Sequence, residues 1–245
     1  MAVRTEWTKL ITTKAFWWTT ALFIIFGAGF SALFHYNVAP GPLGIPVIYA
    51  ASAVMGIQGL SFLVLCVQAI MLVTSEYRHN YQTVTFLATP NRTVVAVAKW
   101  MFAVFGALLT WGTVVLSYYV AKWMGGSVAS KTLNVWHDDN ALRLMWIYPL
   151  VAILLVTMAQ GIAYIVRQTA GATTIMLLWV LALESLLSLL PKVGDAMKYG
   201  PITNMNAFLT QSDTVWSWQE SGVYFAAWAI AIWVIGVFIL NKRDA

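Results

Sequence analysis

Six long apolar runs govern what this chain can become: residues 16–36, 46–74, 95–121, 144–166, 172–190 and 222–241. Each is near or above the roughly 20 residues a helix needs to cross the hydrocarbon core of a bilayer. The expected fold is an all-α integral membrane protein with six transmembrane helices, forming one membrane domain over residues 1–245. Composition agrees, because 60% hydrophobic and 9% charged residues with a mean hydropathy of +0.75 are too apolar to clothe a water-facing surface.

The segment before the first run is different. Residues 2–15 carry Val3, Trp7, Leu10 and Ile11 at helical spacing, with Arg4, Glu6, Lys9 and Lys14 on other faces. That pattern predicts a short amphipathic helix lying in the membrane interface, in which Glu6, Trp7 and Lys9 stand out. The apolar run from Ala15 to about Tyr36 is longer than a signal-peptide core, so it is expected to stay as an uncleaved first span. Gly27, Gly56, Gly59, Gly106, Pro149 and Gly161 fall inside the runs, where small residues let neighbouring helices approach closely.

Charge sets the expected orientation, since Lys and Arg are retained on the cytoplasmic side. With the N-terminus inside, Arg4, Lys9, Lys14, Arg78, Arg92, Lys99, Arg167, Lys242 and Arg243 all fall on inner segments. The outer segments hold Lys122, Lys131, Arg143, Lys192 and Lys198, balanced by Asp138, Asp139, Asp195, Asp213 and Glu220. Both termini are therefore expected in the cytoplasm of a multi-pass plasma-membrane protein, and the pattern fits a bacterial membrane. The net charge of +5 reads as a topology signal rather than a nucleic-acid footprint, because the charges sit in short loops between apolar runs. Outer connections are expected near 37–45, 122–143 and 191–221, and inner ones near 75–94 and 167–171.

Several chemistries lack their residues. There is no G-x-x-x-x-G-K-[ST] phosphate cradle, no G-x-G-x-x-G fingerprint and no G-x-S-x-G nucleophile turn. No cofactor and no metal site is expected in this chain, and no catalytic residue. Cys66 is alone and inside an apolar run, while His35, His79 and His137 lie in three separate segments without ligand spacing. Asn91-Arg92-Thr93 fits the glycosylation triplet, and in an inner loop it reads as a chance match.

The inner segment after the second run is the most informative. It runs from Thr74 to Arg92 and is polar, yet it keeps Val84, Phe86 and Leu87, apolar groups that suit a short helix docking into a groove on a cytoplasmic partner. Pro90 would end such a helix. Glu76-Tyr77-Arg78-His79, then Thr83, Pro90 and Arg92, then Ala98-Lys99, together resemble the cytoplasmic loop of ABC-2-type transporter permeases. Asn80-Tyr81-Gln82 stands where many members have a glycine directly before the threonine. The opening Glu6-Trp7-Thr8-Lys9-Leu10 with Trp17-Trp18 is similar to the interfacial helix and first span of such subunits. Trp179, Glu184, Leu186-Leu187, Pro191 and Pro201 resemble the family's last-but-one helix and the partly re-entrant connection after it.

The resemblance implies the permease subunit of an ATP-driven exporter. It implies a second permease subunit, identical or homologous, and a separate ABC ATPase that binds ATP and Mg. In that reading Glu76, Tyr77, Arg78, Thr83, Phe86, Pro90 and Arg92 form the ATPase-coupling loop, and short outer helices between the fifth and sixth spans cap the exit. Arg78 and Arg92 also have a plainer reading as charges that hold their loop inside. The cargo would be amphiphilic or hydrophobic, such as a lipid, peptide or drug. The alternative is a non-transporting membrane anchor or assembly subunit of a larger complex.

Four polar groups are expected inside the apolar runs: Glu184, Gln58, Gln68 and Gln160. A carboxylate there costs roughly 2.5–3.5 kcal/mol on insertion scales and needs a reason. Glu184 lies seven residues before Pro191, about 10 Å along a helix. It can face a polar cavity, pair with Lys192 or Lys198, or stay protonated; a structural hydrogen bond and a direct substrate or proton role both remain open. The glutamines more often form hydrogen bonds between helices than hold ligands.

Overall fold

The computed structural model describes residues 2–36, 46–78, 85, 91–191 and 193–242. Among them there is no strand, and six helices are long and apolar enough to cross a membrane: Lys14–His35, Ile57–Arg78, Arg92–Met124, Asp139–Val166, Thr169–Ser188 and Trp218–Lys242. They are called here the first to sixth long helices. Helix Ala2–Ile11 precedes them, and a 3-10 helix, Gly194–Tyr199, and helix Pro201–Thr210 lie between the fifth and sixth.

The second long helix differs from its expected range of 46–74. It begins at Ile57 after a separate short turn of helix, Ala50–Ala53, and ends at Arg78. Hydropathy counts Pro46, Val47 and Ile48 as span although the backbone there is not helical. It also stops at Thr74-Ser75-Glu76, where the chain turns polar. The helix continues there because Glu76 is paired inside the protein, with the buried Lys99 and with Lys9. Glu76, Tyr77 and Arg78 therefore belong to the last turn of a helix and not to a loop. Thr83, Phe86 and Pro90, with the docking helix expected around them, lie outside the described residues.

The chain divides into two compact units. One comprises residues 14–65 and 104–152. In it the first long helix packs on the π-helical turn Ile57–Ser61, with the Ser61 hydroxyl donating to the Phe23 carbonyl at 2.7 Å and the Ser31 hydroxyl to that of Ser117 at 2.8 Å. Buried hydroxyls bonded to helix carbonyls tie helices together where no water is present. His35 has both ring nitrogens in use, on the Ser31 carbonyl and the Ser52 hydroxyl, as an ordinary buried histidine. Gln58 lies within 3.5 Å of the Tyr148 hydroxyl.

The other unit comprises residues 1–13, 66–103 and 153–245. Here the fourth and sixth long helices touch backbone to backbone: a Cβ on Gly161 would stand 2.7 Å from the carbonyl of Ile232, and one on Gly236 would stand 2.6 Å from the carbonyl of Gly161. Glycine is needed at both positions, because a backbone cannot give way as the tip of a side chain can. Helix Pro201–Thr210 packs on the sixth long helix and buries seven of its ten residues.

Candidate functional site

The second unit contains four charged groups in one cluster. Helix Arg92–Trp100 opens the third long helix; Asn91 caps it by accepting the amides of Thr93 and Val94 at 3.1 and 3.3 Å. This occupies the side chain of the glycosylation triplet with a structural task. Val95, Ala96, Ala98 and Lys99 form the buried face, so Lys99 is carried inward among apolar neighbours and is only 3% exposed. Its ammonium donates to Glu6 Oε2 at 2.6 Å and to the Leu72 carbonyl at 3.3 Å, and lies 3.1 Å from Glu76 Oε1. Lys9 closes the group, 2.8 Å from Glu6 Oε1 and 2.9 Å from Glu76 Oε1. Thr85 donates to Glu76 at 3.4 Å.

Two lysines and two glutamates make a neutral set. Such a set is tolerable in a dry interior only when each charge keeps its counterpart. Burial by itself raises the pKa of Glu6, but the ammonium of Lys99 and the bonds from Lys9 and Lys99 outweigh it and hold the carboxyl below its ordinary value. Burial likewise pulls Lys9 down, and its bonds to Glu6 and Glu76 more than offset that, leaving it raised.

The N-terminal helix thus meets the protein with a polar side chain. Glu6 is buried, whereas Trp7 is 42% exposed. Amphipathicity alone does not say which face turns inward, and here the ion pairs decide it.

The surroundings of the cluster are also fixed. Gln160 is fully buried and donates to the Lys99 carbonyl at 3.0 Å, and the Trp100 indole donates to the Thr157 hydroxyl at 2.9 Å. Arg92 Nη1 donates to the Leu240 carbonyl at 2.9 Å in the last turn of the sixth long helix, where a cation also suits the helix dipole. Asn241 donates to Thr93 at 3.0 Å. Gln68 is buried in this unit as well.

Glu184 forms a second site in the same unit. It is 6% exposed and accepts four bonds: Trp179 Nε1 at 2.7 Å, the amides of Ile202 and Thr203 at 3.0 and 2.6 Å, and the Thr203 hydroxyl at 2.8 Å. Its carboxylate lies at the N-terminus of helix Pro201–Thr210, where unbonded amides and the dipole favour negative charge. Local backbone makes the reach possible: residues Trp179–Leu183 form a π-helical turn, whose five-residue repeat brings Trp179 and Glu184 to the same face. Gly200 matters too, since a Cβ there would overlap the Glu184 carboxylate. Lys198 pairs instead with Asp195 at 2.8 Å on the surface. The hydrogen-bonded role is therefore the one the geometry displays.

No protein-family model matches the chain, and no curated protein matches it significantly.

Of the residues singled out from sequence, Glu6, Lys9 and Glu76 come together, while Arg92 anchors the neighbouring helix start. Tyr77 and Arg78 lie outside the cluster, at a separate recess. Lys99 joins Glu6, Lys9 and Glu76, and a lone lysine on the apolar face of Arg92–Trp100 is the sequence signal of its buried partner.

Proposed function

We propose that this chain is the permease subunit of an ATP-driven exporter, working with a separate ATPase and a second permease subunit in a bacterial plasma membrane, with both termini in the cytoplasm. The observation that carries the reading is the anchoring on either side of segment 79–91. Glu76 before it is fixed by Lys9 and Lys99, and Arg92 after it is fixed to Leu240. A partner pressing on a segment held in this way would move the N-terminal helix and the second, third and sixth long helices rather than merely bend a loop. The resemblance of the segment to the coupling loop of ABC-2-type permeases gives that partner its chemistry. Six apolar helices suit a lipid, peptide or drug as cargo, and Glu184 would act by holding helix Pro201–Thr210 in position.

The test is purification of the tagged chain from native membranes, with ATPase activity measured for wild type and for Arg92→Gln. A co-purifying ATPase whose activity loses its dependence on the permease in the variant supports the exporter. Recovery without any ATPase would sink that reading and favour a structural subunit.

A further inference from the structure

A recess of about 340 Å³ in the second unit lies where three apolar helices end or begin. Arg78 is the last residue of the second long helix, Arg167 follows the fourth directly, and Thr169 opens the fifth. Both arginines line the recess together with Tyr77, Gln168 and Thr169, and among the described residues no carboxylate does. Its charge is therefore of one sign.

The two arginines lack the partners that surround the nearby lysines. Among the described residues neither forms an ion pair, and the buried Nε of Arg167 has no hydrogen-bond partner. Arg167 is instead held by its backbone, in the left-handed region at φ 57°, and its guanidinium stands 5.3 Å from the centroid of the Tyr77 ring. That conformation is a common way to end a helix, and the Arg167 amide donates to the Ala163 carbonyl at 2.8 Å as it does so. Thr169, also in the lining, shares a 2.8 Å hydrogen bond with Thr74. Gln168, at the cap position of the fifth long helix, leaves the helix's first amides without a side-chain acceptor. Two cations in fork geometry, a hydroxyl and helix amides form a donor set suited to a tetrahedral oxyanion.

We infer that this recess binds a phosphate group. A phosphate can arrive here as the headgroup of an anionic phospholipid, since the recess lies where apolar helix surface gives way to polar ends, or as a soluble phosphate. The inference does not rest on the transport reading.

The test uses the full chain in neutral detergent. Binding of phosphatidylglycerol, measured by native mass spectrometry, and of inorganic phosphate, measured by thermal shift, is compared for wild type, Arg78→Gln and Arg167→Gln. Gln is compatible with the backbone at 167, because Gln211 of this chain adopts the same φ of 57°. Arg78 is exposed and its replacement leaves the interior untouched. We expect wild type to bind at least one probe and each variant to bind it at least about tenfold more weakly. Retention of phosphatidylglycerol alone identifies a lipid site, and response to phosphate alone a soluble ligand. Equal binding by wild type and both variants, or no binding of either probe by wild type, overturns the proposal.

Discussion

Lys99 Nζ lies 2.6 Å from Glu6 Oε2 although 93 residues separate the two in sequence. This contact joins the N-terminal helix to the start of the third long helix, and both side chains are withdrawn from solvent. An ion pair so placed is a constraint: it holds only while each charge keeps its complement.

Replacing Lys99 by Met therefore leaves two buried carboxylates to share the half-exposed Lys9. Breaking one side of a buried pair costs on the order of 3–5 kcal/mol. Lys99→Met is expected to unfold in detergent well below the wild-type temperature, followed by tryptophan fluorescence. Combining it with Glu6→Gln should recover part of the loss, since one unpaired charge is removed. A wild-type melting temperature for Lys99→Met would contradict the assignment.

The same cluster sets a pH dependence. Glu6 is held below its ordinary 4.5, so its contribution to stability is present above that value and is lost as pH falls through the lower, folded value. Lys9 is raised above 10.5, so its contribution is present below 10.5 and is lost as pH rises through the higher, folded value. Its part is the smaller, because water screens a side chain that is 45% exposed. Melting temperature should form a plateau between these limits, and Glu6→Gln should flatten the acid side. An unchanged acid limb in Glu6→Gln would place the titrating group elsewhere.

At the second site, Glu184→Leu removes the acceptor for the amides of Ile202 and Thr203. Hydrogen bonds to a charged group contribute about 1.5–3 kcal/mol each. The variant should show faster amide exchange across residues 201–205, read by mass spectrometry, while residues 92–100 keep their protection. Unaltered exchange at 201–205 would mean that the carboxylate does not hold this helix.

Gly161→Ala places a methyl group against the backbone of Ile232 at 2.7 Å, where nothing can rotate away. It should lower the melting temperature by forcing the fourth and sixth long helices apart. Gly112→Ala is the control: it meets nothing within 4 Å, so it should be neutral or gain up to about 1 kcal/mol from helix propensity. Equal effects of the two would argue against the Gly161–Gly236 contact.

The six long helices were legible in the sequence because hydropathy is a local property: a run of apolar residues carries its own signal whatever it packs against. For the same reason their ends were less well read. At Glu76 the polar residues mark a partner rather than the end of a helix, and at Pro46 apolar residues continue without helical backbone. The identity of Glu184 as an unusual group was equally visible, but its role was not, since the amides it accepts lie 18 and 19 residues away.

Sequence by itself determined that the chain is helical, apolar in six places, and charged mainly between them. Tertiary structure alone decided which charges meet. Glu6 and Lys9 belong to a helix whose pattern permits either face to turn inward, and only Glu76 and Lys99, 67 and 93 residues away from their partners, draw the polar face in. Arg78 and Arg167 are left by that same packing with no such counterpart among the described residues. Periodicity reports which residues share a face; electrostatic pairing across distant segments, which no local pattern encodes, settles what that face meets.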